Sequence, residues 1–189
     1  ILEEKITDNL ADNETIQVNA IMMDPNTGGI IALVGGRDYS LSQYNRSLSS
    51  KRQVGSVMKP ILYYSALENG FTSSTCFTSE ETTFTFSNNQ NYSPRNANEV
   101  YGNKPISLAA AIAYSDNVYA VKTHIFLGED NLVNMAQRLG ITSSMAEVPS
   151  LALGTSEMNI IELTSAYATF ANEGLSLIHI SEPTRPLYI

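Results

Sequence analysis

The 189-residue sequence predicts an α+β fold, and three observations carry that expectation. Two short apolar runs flank a turn-rich segment near the start, the pattern of an antiparallel hairpin. An apolar run of helical character follows Gly55-Ser56. From Ser107 onward, capping residues and stop glycines alternate with apolar stretches, so strands come first and helices dominate afterwards. The composition, 43% hydrophobic and 16% charged, suits one sizeable domain or most of one. A formal net charge of −8 argues against nucleic acid as a partner. The lone cysteine, Cys76, allows no internal disulfide and reads as a small buried apolar residue, since no His or Asn arrangement stands ready to activate it. The two histidines, His124 and His179, fall in no metal-ligand spacing, so neither a metal nor a cofactor is expected. So few histidines also disfavour a Ser-His-Asp triad and shift the weight to lysine as a base. No apolar run approaches the roughly 18 residues of a membrane span, and no signal peptide or initiator Met is present. The chain therefore reads as a piece of a longer protein.

In chain order, residues 1–13 carry Ile1, Leu2, Ile6 and Leu10 at roughly helical spacing and predict a short amphipathic helix. Residues 16–23 read as a strand. The turn signal Asp24-Pro25-Asn26-Thr27-Gly28-Gly29 follows, and Ile30-Ile31-Ala32-Leu33-Val34 forms the second strand, closed by Gly35-Gly36. Residues 37–53 read as a polar loop in which Arg46, Lys51 and Arg52 make a small basic group. The helix after Gly55 runs through Leu67-Glu68 and stops at Asn69-Gly70, with Pro60 in its first turn. Residues 71–102, rich in Ser, Thr and Asn, read as an excursion of loops and short strands, and long loops of this kind are often functional. Ser107 caps a helix over 108–114. Ser115-Asp116-Asn117 breaks the chain. Further helices are expected over 118–127, over about 131–139, and from the capping pair Asn159 and Glu162 to about Gly174.

Two short patterns carry chemistry. Ser56-x-x-Lys59 places a hydroxyl and an amine one turn apart on one helix face. A serine hydroxyl becomes a nucleophile once a neighbouring base takes its proton, and a lysine serves as that base when burial or a positive neighbour lowers its pKa. The apolar run beside Lys59 offers such burial. The competing reading, an N-cap serine with an exposed lysine, is the better one on these four residues alone. Ser115-Asp116-Asn117 sets a hydroxyl suited to relaying a proton beside an amide suited to holding a substrate amide, or else it is a helix-breaking turn rich in cap residues. Ser87-Asn88-Asn89 has the same spacing but no flanking helices.

Together the two patterns resemble the transpeptidase domain of class A penicillin-binding proteins, in the penicilloyl-serine transferase superfamily. The resemblance extends to the opening hairpin, to Arg52-Gln53-Val54-Gly55-Ser56-Val57-Met58-Lys59-Pro60, and to Leu151-Ala152-Leu153-Gly154-Thr155-Ser156-Glu157 with the segment ending at Gly174. It implies a β-lactamase/transpeptidase-like fold, an antiparallel sheet with a helical subdomain. It also implies a serine-type D-Ala-D-Ala transpeptidase or carboxypeptidase. In that chemistry Ser56 is the nucleophile, Lys59 the base or one of the groups that share that work, Ser115 the proton relay and Asn117 the substrate-binding amide. The partners implied are peptidoglycan stem peptides and β-lactams. The full-length protein is expected to be membrane-anchored, with a glycosyltransferase domain, on the extracytoplasmic face of the bacterial cell membrane.

The family's third motif, Lys-Thr/Ser-Gly on a strand, has no counterpart here. Lys122-Thr123-His124 lacks the glycine and falls in a helical stretch. The tail from Leu175 resembles an in-frame translation of a transposon-derived sequencing adapter. The expected organisation is a linker with an N-terminal helix over 1–16, a partial transpeptidase domain over 17–174 without its C-terminal strands, and a non-native tail over 175–189. A fragment of that kind is expected to be inactive by itself. Two alternatives remain within the superfamily: a β-lactamase, for which no separate carboxylate motif is apparent, and a non-catalytic β-lactam sensor or binding module.

Overall fold

The computed structural model describes residues 2–10, 15–86, 89 and 91–174. The expected non-native tail over 175–189 and most of Ser87-Asn88-Asn89 lie outside the described residues. In chain order the elements are α1 (Leu2–Asn9), β1 (Ala20–Met23), β2 (Ile30–Val34), α2 (Arg46–Ser49), β3 (Lys51–Gln53) and, after a 3₁₀ turn over Gly55–Met58, α3 (Lys59–Glu68). Then come β4 (Cys76–Ser79), β5 (Phe84–Thr85), β6 (Asn91–Tyr92), β7 (Lys104–Ser107), α4 (Leu108–Tyr114), α5 (Asn117–Leu127) and α6 (Glu129–Arg138). A 3₁₀ turn over Pro149–Leu153 leads into β8 (Glu157–Asn159) and α7 (Ile160–Ala171). The strands pair as β1-β2, β3-β8, β4-β7 and β5-β6. The chain divides into two compact units.

One unit comprises Ile1–Arg52, Gln137–Ser143 and Met158–Ile189. Its hairpin pairs Ala20 with Val34, Ile21 with Leu33 and Met22 with Ala32, then slips at a bulge so that Met23 meets Ile30. The Asp24 carboxylate accepts the Asn26 N–H at 2.9 Å and the Thr27 hydroxyl at 2.9 Å, which fixes the turn and holds its pKa low. The first strand begins at Ala20 rather than at residue 16, because Gly35 and Gly36 end the partner strand opposite that point. Met22, Ile30 and Ile31 of the hairpin are about half exposed or more. Residues 37–53, expected as a plain loop, contain α2 because Asn45 caps it, its Oδ1 accepting the Ser47 and Leu48 N–H groups. Ser47 is fully buried and donates to Val34 O at 2.7 Å, tying α2 to the hairpin.

In the same unit α7 packs on β1 and α2. Asn159 caps α7 as expected, accepting the Ile161 N–H at 2.8 Å while its amide donates to Leu48 O at 2.8 Å. Glu162 does more than complete that cap. Its carboxylate receives the Ser143 hydroxyl at 2.6 Å, the Thr142 N–H at 3.2 Å and the Thr142 hydroxyl. Burial would raise its pKa, but these bonds together with the Asn159 N–H outweigh it and hold the carboxyl below its ordinary value.

The other unit comprises Gln53–Ala136 and Ser144–Glu157. Its core is built on α3 and α5, which pack against each other. Met58, Ile61, Leu62, Val118 and Val121 are fully enclosed. Both helices are apolar on most of their faces, the mark of helices surrounded by protein. Phe71, Phe77, Phe126 and Tyr119 form a cluster of tilted and edge-on rings, with Phe77 and Tyr119 centroids 5.3 Å apart. Cys76 is exposed, contrary to expectation. It starts β4, whose burial increases only toward Ser79, and its thiol donates to Ser74 O at 3.1 Å. Ser107 ends β7 and caps α4 by accepting the Ala110 N–H at 3.2 Å. His124 is enclosed in α5 with Nε2 3.2 Å from Val148 O, and burial lowers its pKa. No helix among the described residues is long and apolar enough to cross a membrane.

Replacing Glu162 by Gln removes charge from at least three bonds and is expected to lower the unfolding free energy by about 1–2 kcal/mol at neutral pH in urea titrations. The contribution of a carboxyl with a lowered folded pKa is complete above its ordinary value of 4.5 and disappears as pH falls through the folded value. The difference between the two proteins should therefore shrink below that pH.

Candidate active site

All four residues singled out in the sequence lie in the second unit. Gly55, with φ at +61°, turns the chain into the 3₁₀ turn that carries Ser56, and Ser56 is exposed. The Lys59 N–H bonds Ser56 O, so the hydroxyl and the amine are one turn apart as the spacing predicts. Pro60 occupies the first turn of α3, where its missing N–H leaves no bond unmade. Behind this segment lies the turn ending in Leu153-Gly154. The Gly55 N–H donates to Gly154 O at 3.0 Å, and a Cβ on Gly154 would lie 2.1 Å from Gly55 O and 2.4 Å from Gly55 N. Gly154, at φ +69°, thus supports the backbone just before Ser56 by direct contact of main chain on main chain.

Lys59 is buried, with 3% of its surface accessible. Its ammonium donates to Ser115 O at 2.6 Å, to Ser115 Oγ at 2.9 Å and to Asn117 Oδ1 at 2.6 Å. Three acceptors match the three hydrogens of an ammonium group. Ser56 Oγ is not among its partners. Burial pushes the amine down to about 8, against the opposing pull of the Asp116 carboxylate. The basic residues Arg46, Lys51 and Arg52 belong to the other unit, where the Arg46 guanidinium stacks over the Tyr44 ring at 5.5 Å.

The break at Ser115-Asp116-Asn117 exists as a true kink. Ser115 ends α4 in the left-handed region, at φ 52° and ψ 45°, and Asp116 caps α5 by accepting the Tyr119 N–H at 2.7 Å. That kink turns both the carbonyl and the hydroxyl of Ser115 toward Lys59. The Asn117 amide spans two partners, with Oδ1 on Lys59 and Nδ2 donating to Arg95 O at 2.6 Å. One hydrogen of Nδ2 stays free for a further acceptor.

Sequence reasoning did not find the residues that hold this turn. Asp116 Oδ2 accepts the Ser79 hydroxyl and the Asn96 amide, the latter at 2.7 Å. Asn96 Oδ1 in turn accepts the N–H groups of Asn117 at 2.8 Å and Val118 at 3.3 Å. The available signal was coarse: Ser93-Pro94-Arg95-Asn96 is a turn cluster inside a long polar excursion. Tyr63, nearly enclosed, has a hydroxyl without a partner among the described residues, and burial followed by the Asp116 charge raises its pKa. Lys122-Thr123-His124 lies on α5, with the lysine donating to Thr78 O at 2.8 Å. No group of three or more His, Cys, Asp or Glu among the described residues could hold a metal ion.

Comparison with known proteins gives the family and the fold. The profile of the penicillin-binding protein transpeptidase domain matches residues 18–178. Penicillin-binding protein 2D of Bacillus subtilis is 49% identical over 185 residues, which are 97% of this chain and 26% of that protein. Penicillin-binding protein 1A of Aquifex aeolicus is 37% identical over 161 residues, 84% of this chain and 22% of its own length. The chain thus spans about a quarter of the length of these curated relatives. The crystal structure of penicillin-binding protein 1A from Haemophilus influenzae superposes with a TM-score of 0.78 at 30% identity, covering 82% of this chain and 23% of that one. The fold is that of penicillin-binding transpeptidase domains.

A methyl group at position 154 has no room against Gly55. Gly154→Ala is expected to lower the unfolding free energy by about 2–4 kcal/mol in urea titrations, combining overpacking with an alanine forced into the left-handed region.

Proposed function

The chain belongs to the penicillin-binding protein transpeptidase family, and from that premise we propose that it carries the acylating serine of a peptidoglycan D,D-transpeptidase. The observation that carries the proposal is the buried Lys59 amine, lodged between Ser115 and Asn117 and one turn from Ser56. In this reading the Ser56 hydroxyl attacks the carbonyl carbon of the D-Ala-D-Ala peptide bond of a stem peptide, and its proton is taken up by neutral Lys59 through the Ser115 hydroxyl, which donates to the lone pair of the amine. The oxyanion that forms is met by the Ser56 N–H, one of the first N–H groups of its turn and so without an acceptor inside it. The C–N bond then breaks, and D-alanine departs as an amine after taking a proton through Ser115. An amine of a second stem peptide attacks the resulting ester, releases Ser56 with its proton restored, and completes the cross-link. Asn117 holds the peptide amide with its free Nδ2 hydrogen. β-Lactams mimic the stem peptide and leave Ser56 acylated. The intact protein would act as a membrane-anchored enzyme beside a glycosyltransferase domain on the extracytoplasmic side.

The hydrogen-bond inventory supports these roles. A neutral amine has two hydrogens and a lone pair. Ser115 O and Asn117 Oδ1 only accept, so they keep the two hydrogens. Ser115 Oγ is the one partner that can reverse its bond and donate to the lone pair. Deprotonation of Lys59 thereby orients the Ser115 hydroxyl, which suits a relay.

The experiment is covalent labelling of the intact protein with a fluorescent penicillin. Labelling should disappear in Ser56→Ala, and persistence at the wild-type level would defeat the proposal. Lys59→Ala should slow acylation by about 10²- to 10⁴-fold. Because the amine is active when neutral and its pKa lies at about 8, the wild-type rate should rise with pH between 6 and 9 about that midpoint. Rapid turnover of nitrocefin would favour a β-lactamase instead.

A further inference from the structure

The Ser115-Asp116-Asn117 turn does not stand by its own bonds. Its outer side is occupied by Arg95 and Asn96, which belong to the polar excursion between α3 and α4. The first three N–H groups of α5 have no acceptors inside the helix. Asn96 Oδ1 takes those of Asn117 and Val118, and the Asp116 carboxylate takes that of Tyr119. Asn96 Nδ2 donates to Asp116 Oδ2 at 2.7 Å and to Val100 O at 3.0 Å. The Arg95 carbonyl accepts Asn117 Nδ2, which leaves Asn117 Oδ1 as the end of the amide that faces Lys59. Every polar atom of the Asn96 side chain is thus engaged with the turn, with the carboxylate inside it or with its own segment.

We propose that Asn96 is a positioning residue for acylation, holding Asn117 and Asp116 where Lys59 and Ser115 require them. This inference rests on the transpeptidase reading above. It also explains why an amide is needed at this position. Alanine leaves two N–H groups of α5 without their acceptor and Asp116 Oδ2 with the Ser79 hydroxyl alone. Aspartate keeps the acceptor for the Asn117 N–H but turns the donor facing Asp116 into a second carboxylate. Two carboxylates sharing one site do not both ionise readily, so the introduced carboxyl retains its proton to a higher pH. While protonated it donates to Asp116 as the amide does. Once ionised it repels Asp116 and adds negative charge near Lys59. The titratable groups that feel the Asp116 charge are Lys59 and Tyr63 from α3, and the segment of Asn96 itself carries the exposed ion pair of Arg95 with Glu99 at 2.9 Å.

The test measures the second-order rate of acylation of the intact protein by a fluorescent penicillin from pH 5.5 to 8.5. Wild type, Ser56→Ala, Asn96→Ala and Asn96→Asp are compared, with ellipticity recorded on the same samples to follow folding. Asn96→Ala should react about 10- to 100-fold more slowly than wild type by a factor that does not vary with pH, as expected when reacting groups are displaced without a change in charge. For Asn96→Asp the ratio to wild type should be nearest unity at the acid end and fall about tenfold or more by pH 8 while the ellipticity stays constant. A wild-type rate in Asn96→Ala overturns the proposal. So does an Asn96→Asp ratio that does not vary with pH, and this second variant decides alone if the alanine protein does not fold. A wild-type protein that takes no label, or a Ser56→Ala protein that labels equally, instead defeats the transpeptidase reading on which the proposal depends.

Discussion

The buried ammonium of Lys59 is the constraint around which the second unit is arranged. A cation removed from water is costly unless its hydrogens all find acceptors, and here three acceptors come from one short segment. For a single turn to supply a carbonyl, a hydroxyl and an amide oxygen to the same point, the backbone must bend sharply. Ser115 accordingly adopts the left-handed conformation, at a cost of about 1–2 kcal/mol for a residue with a side chain. The bend separates α4 from α5 and exposes the first N–H groups of α5. Those groups must be satisfied in turn, and Asp116 and Asn96 do so. Each requirement generates the next, from one charged side chain outward to a loop some twenty residues earlier in the chain.

What could be read in the sequence follows the range over which each cause acts. The hairpin was legible because Asp24 makes its own turn through bonds two and three residues away. Helix starts at Ser107 and Asn159 were legible for the same reason, since caps act within one turn. Helix α2 was missed because a four-residue helix has no period to detect, although its cap, Asn45, was in plain view. Strand β7 was missed because Lys104-Pro105-Ile106-Ser107 becomes a strand only through its pairing with β4, far away in sequence. Cys76 was misjudged on residue type alone, at a position where strand geometry leaves it outside.

The candidate site divides in the same manner. Ser56, Lys59, Ser115 and Asn117 form recognisable short patterns because their spacing reflects helix geometry. Asn96 and Ser79 act on main-chain groups and on one carboxylate, contacts that impose no spacing and leave no motif. The sequence suggested that the excursion over 71–102 would matter but not which of its many polar residues would, because Asn, Ser and Thr recur throughout it.

The contact of Gly154 with Gly55 has a consequence for how this protein can change. Most packing constraints are negotiable, since a larger side chain at one position is accommodated by a smaller one opposite. Here both partners are main chain, and neither has an atom to give up. No second-site substitution at position 55 can make room for a side chain at 154. The pair is therefore closed to the gradual exchange of volume by which cores drift, and variation near the nucleophile must take place around a fixed point.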